Sequence, residues 1–159
     1  MEPFEAVVAE HGPVVMRVCR ALLGPADADD AWSETFLSAL RAYPELAAGS
    51  NVRGWLVTIA HHKAIDVLRS AERRPRPTED LPEVPSPDGI PGPPGDDDLR
   101  TALAALPPKQ RGAVVYRYLA DLPYAAVGAL IDSNEAAARR SAADGIAALR
   151  RTYVRGTNR

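Results

Sequence analysis

A proline-rich stretch near the middle of the chain limits its fold more than any other feature. Eight of the fifteen prolines fall in residues 75–94, with Gly89, Gly92 and Gly95 in or just after that run. Proline lacks an amide N–H and clashes with the preceding turn. Neither a helix nor a central strand can therefore pass from Pro75-Arg76-Pro77 to Pro93-Pro94-Gly95. The stretch is expected to be extended and partly polyproline-like. It divides the 159 residues into two expected small domains, 1–74 and 97–155, joined by a linker at 75–96. Domains this small bury little surface alone, so each is expected to gain stability from a partner.

Both halves read as helical, and the fold class expected is all-α. Phe4, Val7, Val8, His11 and then Val14, Val15, Val18, Cys19, Leu22 recur at three- and four-residue spacing. Gly12-Pro13 is expected to interrupt them, with Pro13 opening a second helical stretch. Leu23-Gly24-Pro25 reads as a stop. Asp27, Asp29 and Asp30 then offer N-cap chemistry to a helix carrying Trp32, Phe36, Leu37 and Leu40, with Phe36 and Leu37 expected in the core. After a loop ending at Gly49-Ser50-Asn51, a long helix runs from Val52 to about Arg74, with Trp55, Leu56, Ile59, Ala60, Val67 and Leu68 inward. Beyond the linker, Asp96-Asp97-Asp98 caps a helix bearing Leu99, Leu103 and Leu106, and Pro107-Pro108 starts the next. A short helix from Pro123, the turn Ile131-Asp132-Ser133 and a helix from Asn134 to about Thr152 make a helix-turn-helix candidate.

Composition removes several function classes. At 46% hydrophobic and 25% charged residues the chain is globular rather than disordered. No apolar run nears the roughly 18 residues of a membrane span, and no basic-then-apolar leader opens the chain. No membrane insertion and a cytoplasmic address are expected. Cys19 is the single cysteine and there are three histidines, so neither a disulfide nor a metal cluster is expected. No Gly-rich phosphate loop or nucleophile–base pair suggests an enzyme, and no cofactor is expected. The net charge of −2 hides alternating blocks: 1–45 and 77–98 are acidic, 46–76 and 136–159 basic. Two basic blocks around an acidic spacer can offer two contacts to a polyanion.

Four segments then carry a resemblance. Asp27-Ala28-Asp29-Asp30-Ala31-Trp32-Ser33-Glu34-Thr35-Phe36-Leu37 resembles the acidic-aromatic helix of bacterial RNA polymerase sigma factors of the extracytoplasmic-function (ECF) type, within the sigma-70 family. Asn51-Val52-Arg53-Gly54-Trp55-Leu56 and Ile59-Ala60-His61-His62-Lys63-Ala64-Ile65-Asp66-Val67-Leu68-Arg69 are similar to that family's promoter-melting and minus-ten segment. Leu103 to Arg111 with Tyr116-Arg117-Tyr118-Leu119 resembles the start of its C-terminal domain. The helix-turn-helix falls where minus-thirty-five recognition belongs.

The resemblance implies a transcription initiation factor that binds the beta and beta-prime subunits of core RNA polymerase, directs them to promoter DNA and helps melt it. An anti-sigma factor is a further implied partner. It implies polymerase docking through Asp29, Asp30, Trp32, Glu34 and Thr35. Minus-ten DNA contacts would come from Asn51, Arg53, His61, His62, Lys63 and Arg69, and minus-thirty-five contacts from Asn134, Arg139, Arg140 and Ser141. The acidic linker would lie near the RNA exit path. Asn51 fits either capture of an unstacked base or an ordinary N-cap. Trp55 fits either a stacking platform or the core. The chain departs from the family in three places. His61-His62 stands where an Arg-Asn pair is usual, Ile131 or Asp132 stands where the turn often has Gly, and the recognition helix carries Ala136-Ala137-Ala138, Asp144 and Gly145. Two other functions fit parts of the chain: a helix-turn-helix regulator, and an adaptor that binds polymerase or an anti-sigma protein without reading DNA.

Overall fold

A computed structural model describes residues 2–73 and 96–157. The linker expected at 75–96 lies, apart from Asp96, outside the described residues. Among them every regular element is helical. Helices α1 (Phe4–Leu22), α2 (Pro25–Ala42) and α3 (Val52–Arg73) form an N-terminal bundle, with a 3-10 turn at Tyr43–Glu45 after α2. The C-terminal bundle comprises α4 (Asp96–Ala104), α5 (Pro108–Val114), a π turn (Val115–Leu119), α6 (Tyr124–Leu130) and α7 (Glu135–Thr157).

The N-terminal core joins Val7, Val15 and Cys19 of α1 to Ala28, Ala31, Phe36 and Ala39 of α2 and to Leu56, Ala60 and Ala64 of α3. Phe36 packs at 6.4 Å from the Phe4 ring and 4.6 Å from Trp32. Burial pushes the Cys19 thiol up to about 11, so it behaves as a small hydrophobe.

Local expectation and structure part in this bundle. Helix α1 continues through Gly12-Pro13 rather than breaking. The Pro13 ring is exposed, and core side chains on both sides of it, Val7 before and Val15 and Val18 after, hold the helix despite the lost N–H. Helix α2 starts at Pro25 with Gly24 at the cap and no side-chain cap bond, so Asp27 acts only as first-turn charge. Leu37 and Leu40 are each 52% exposed, and Leu68 is also exposed. Small residues at Ala28, Ala31, Thr35 and Ala39 form the inward stripe of α2 instead, which turns Leu37 and Leu40 outward.

Arg111 ties the α4–α5 corner: its Nε donates to Leu103 O at 3.0 Å and its Nη2 to Ala104 O and Leu106 O at 3.0 and 3.1 Å. These are the end carbonyls that a helix leaves without partners. In the helix-turn-helix, Asp132 takes the left-handed conformation at φ 55°, which a short polar side chain tolerates where Gly is absent. Gly128 and Gly145, with Gly112 against Ile131, permit close approach. A Cβ on Gly128 would lie 2.8 Å from the Asn134 backbone, and one on Gly145 would lie 2.6 Å from Val114 Cγ2. Gly145 thus weakens α7 locally but lets it seat on α5.

The C-terminal core contains Leu103, Val114, Val115, Tyr116, Leu122, Val127, Ile131, Ala138, Ala142 and Leu149, and it extends to Val18 of α1 and Val57 of α3. The two bundles therefore share apolar contact.

Candidate nucleic-acid and polymerase interfaces

Helix α3 has two working faces. At its start Gly49 turns the chain at φ 84°, and Ser50 Oγ donates to Ala47 O at 2.6 Å. Asn51 Oδ1 accepts the Gly54 N–H at 3.1 Å. Asn51 is thus the N-cap of α3, and its exposed side chain also borders the groove on the first face.

That groove, of about 650 Å³, runs between α3 and α6. Asn51, Trp55, Thr58, His61, His62, Ile65, Asp66 and Arg69 line one wall, and Leu122, Ala126, Leu130 and Asp132 line the other. Four of the six residues expected at the minus-ten site therefore meet here: Asn51, His61, His62 and Arg69. Arg53 lies nearby, with Nη1 3.7 Å from Asp121 Oδ2 across the bundle boundary. Trp55 is half-buried and belongs to both the groove and the packing around the core.

A second bond crosses the boundary. The Tyr116 hydroxyl and His61 Nδ1 are hydrogen-bonded at 2.5 Å. Tyr116 is only 2% exposed, and burial pushes its pKa up, with the Cys19 thiol adding to the shift. His61 is held below its ordinary value of 6.5 by burial and then by His62, while Asp132 pulls weakly the other way. Both groups are neutral in this contact. Nothing in the local sequence pairs residues 55 positions apart, so Tyr116 escaped the sequence reading.

The adjoining face of α3 meets α2 in a cleft of about 430 Å³ lined by Asp27, Asp30, Glu34, Lys63 and Asp66, the last shared with the groove. Lys63 sits here, its Nζ 3.8 Å from Glu34 Oε2, and not with His61 and His62. Asp29 is exposed. Trp32 is half-buried, with Nε1 donating to Gly12 O at 3.0 Å. Thr35 is fully buried, its hydroxyl donating to Ala31 O at 2.6 Å, so this arrangement offers none of it to a partner. The small-residue stripe at Ala28, Ala31 and Ala39 was the signal that Thr35 belongs to the core.

On α7, Asn134 is the N-cap, with Oδ1 accepting the Ala137 N–H at 2.8 Å. Arg139 and Arg140 are exposed and Ser141 is half-buried. Arg139 Nη2 donates to Glu135 Oε1 at 3.0 Å, and its Cζ lies 4.7 Å from the centroid of the Tyr124 ring. Arg117 lies over the same ring at 5.0 Å. Glu135 and Tyr124 were also missed, although the Glu135–Arg139 spacing is a legible helical ion pair. Among the described residues no group of His, Cys, Asp or Glu is placed to hold a metal.

Comparison with known proteins agrees with this geometry. Residues 7–74 match the family model described as sigma-70 region 2, and residues 96–149 match sigma-70, region 4. The ECF RNA polymerase sigma factor SigC of Mycobacterium tuberculosis (strain CDC 1551 / Oshkosh) is 35% identical over 129 residues, covering 79% of this chain and 70% of its own. The RNA polymerase sigma factor CarQ of Myxococcus xanthus is 32% identical over 158 residues, covering 94% and 88%. Among solved structures, RpoE of Bartonella quintana, co-crystallised with the anti-sigma factor NepR, has a TM-score of 0.76 at 18% identity, covering 98% of each chain. CnrH, in complex with the cytosolic domain of CnrY, has a TM-score of 0.69 at 19% identity, covering 92% of this chain and 84% of its own. With regions 2 and 4 in order on one all-helical chain and the helix-turn-helix in the second, this protein belongs to the ECF sigma factors of the sigma-70 family, which bind core RNA polymerase and start transcription at promoters.

Proposed function

We propose that the two faces of α3 divide the work of initiation. The observation that carries this is which side chains each one gathers. One face gathers Asn51, His61, His62 and Arg69 along a groove, and the other gathers Asp27, Asp30 and Glu34 in an acidic cleft. Imidazole and amide groups can hydrogen-bond base edges, and Arg69 and Arg53 can neutralise phosphates. The carboxylates, with exposed Asp29, suit a basic helical surface on polymerase. Lys63, paired with Glu34, orients that carboxylate and can release to phosphate. Trp32 and Thr35 hold the acidic helix in place from behind.

In the same reading, the first turns of α7 enter the major groove upstream, with Arg139, Arg140 and Ser141 toward DNA and Asn134 fixing the helix start. The groove wall formed by α6 must move away before DNA reaches α3, and docking on polymerase supplies the separation. The chain acts by binding alone, without catalysis, in the cytoplasm. An anti-sigma protein is a further partner, proposed from the complex that RpoE forms with the anti-sigma factor NepR.

The test is run-off transcription with core enzyme and genomic templates, paired with a pull-down of core. Asp30→Lys with Glu34→Lys should weaken core capture while leaving the fold intact. Asn51→Ala should impair opening, seen by permanganate footprinting, more than closed-complex binding. Wild-type core capture by the charge-reversed chain removes the docking assignment, and equal loss at both promoter stages removes base capture by Asn51.

A further inference from the structure

Two adjacent arginines open the recognition helix, and their surroundings differ. Arg139 is the one turned toward α6. Its guanidinium lies 4.7 Å from the centroid of the Tyr124 ring, and Glu135 accepts one of its N–H groups at 3.0 Å. Its side chain is still 61% exposed. Arg140, one position on and about 100° around the helix, points away from that ring. Tyr124 is the first residue of α6 and is itself half-buried, so its ring is a fixed platform. Arg117 lies over it as well, anchored by a bond from Nη1 to Leu122 O at 3.2 Å.

A guanidinium over an aromatic ring uses its face for the contact and leaves its planar fork of donors at the edge, of which Glu135 takes one from Arg139 and the others stay free. The fork is what pairs with guanine in the major groove. A long side chain normally loses rotamer freedom on binding, and one already held loses less. We propose that Tyr124 is a positioning residue for upstream promoter recognition: it holds Arg139, with Glu135, in the orientation that presents its donors to one base pair, leaving Arg140 to a phosphate. This rests on the proposed entry of α7 into the major groove. It adds which arginine reads and what aims it.

The experiment uses holoenzyme, formed from the full chain and core polymerase, on a promoter library randomised only in the upstream element. Arg139→Ala should erase preference at one base pair, while Arg140→Ala should lower binding evenly. Tyr124→Leu should relax preference at the same pair as Arg139→Ala, by about three- to tenfold, since that is the weight of ordering one such side chain. Tyr124→Phe keeps the ring and should keep the preference. Glu135→Gln, on an exposed side chain, should relax the same pair more weakly, and it decides the matter if Tyr124→Leu fails to fold. The proposal is overturned if Tyr124→Leu lowers binding evenly with the preference intact, if the preferred pair follows Arg140, or if Tyr124→Leu is unfolded and Glu135→Gln leaves the pattern unchanged. If neither arginine affects any upstream pair, base reading by α7 itself fails and the positioning role falls with it. If Arg139→Ala erases a preference that Tyr124→Leu leaves alone, only the positioning role fails.

Discussion

The two surfaces assigned to promoter DNA are both polar helical faces, yet the structure treats them differently. The face of α3 looks into a groove whose far wall is the other bundle, and His61 and Arg53 are engaged there by Tyr116 and Asp121. The first turns of α7 face outward, and Arg139 is engaged only by residues of its own bundle. If both surfaces bind DNA as proposed, the first is held by a contact to be given up and the second by one that can persist. Sequence alone shows both as basic stretches. What separates them is which neighbour each meets, and the difference can be attacked one contact at a time.

The largest effect is expected at the outward-facing motif. A Cβ on Gly128 meets backbone of Asn134 at 2.8 Å, which has no flexible end to yield. Gly128→Ala should cost about 1–3 kcal/mol in unfolding free energy and reduce upstream recognition. Gly24 has nothing within 4 Å of the same added atom, so Gly24→Ala should cost only the weaker N-cap, at most about 1 kcal/mol. Equal melting of the two variants would show that α6 and α7 are not packed this closely.

Next comes the bond across the bundles. Tyr116→Phe removes the phenol O–H and leaves His61 Nδ1 without its partner, a change worth about 0.5–1.5 kcal/mol. The free chain should then bind a single-stranded minus-ten oligonucleotide several-fold more tightly, because less is lost in uncovering α3. Unchanged affinity would mean the groove is already open in solution.

A gentler change is pH. In the joined arrangement His61 has its pKa lowered from 6.5, chiefly by burial and by His62 and against the opposite pull of Asp132. Separation returns it toward the ordinary value, so the separated form binds more protons. The contact is therefore at full strength above about pH 6.5 and weakens as pH falls through the lowered value. Energy transfer between dyes on α2 and α7 should fall between pH 7.5 and about 5.5, and His61→Gln should flatten that response. The smallest effect belongs to the exposed Arg53–Asp121 pair. Asp121→Asn should change oligonucleotide binding by less than about 0.5 kcal/mol and be erased by salt.

Local signals made much of the fold legible. The proline run, the three- and four-residue periodicity and the stop at Leu23-Gly24-Pro25 outlined the helices, and Asn134 marked the start of the recognition helix. The failures are tertiary. Propensity breaks α1 at Pro13, but packing on both sides carries the helix through. Leu37 looks like core until the smaller Ala31, Thr35 and Ala39 take the inward positions of α2. Lys63 and His62 are neighbours in sequence, yet the helix turns one toward Glu34 and the other toward the groove. Tyr116 and His61 meet only because two bundles share Val18 and Val57 in one core, and no pattern within either half encodes that.

The chain leaves α5 through a π turn rather than an α-helical one. Ala120 N–H reaches back to Val115 O at 3.2 Å and Leu122 N–H to Tyr116 O at 3.1 Å, wider spans than an α-helix makes. Such a turn holds one residue more than the α-helical path, which sends Tyr116 inward to α3 while Tyr118 stands 57% exposed. Shortening Val115–Leu119 by one residue would let the segment close as ordinary helix and move the Tyr116 phenol from its present place. The hydroxyl facing His61 lies inside that turn, and the platform under Arg139 follows it at the start of α6. Removing a single codon there should therefore loosen the contact between the bundles while leaving the sequences of α5 and α6 untouched.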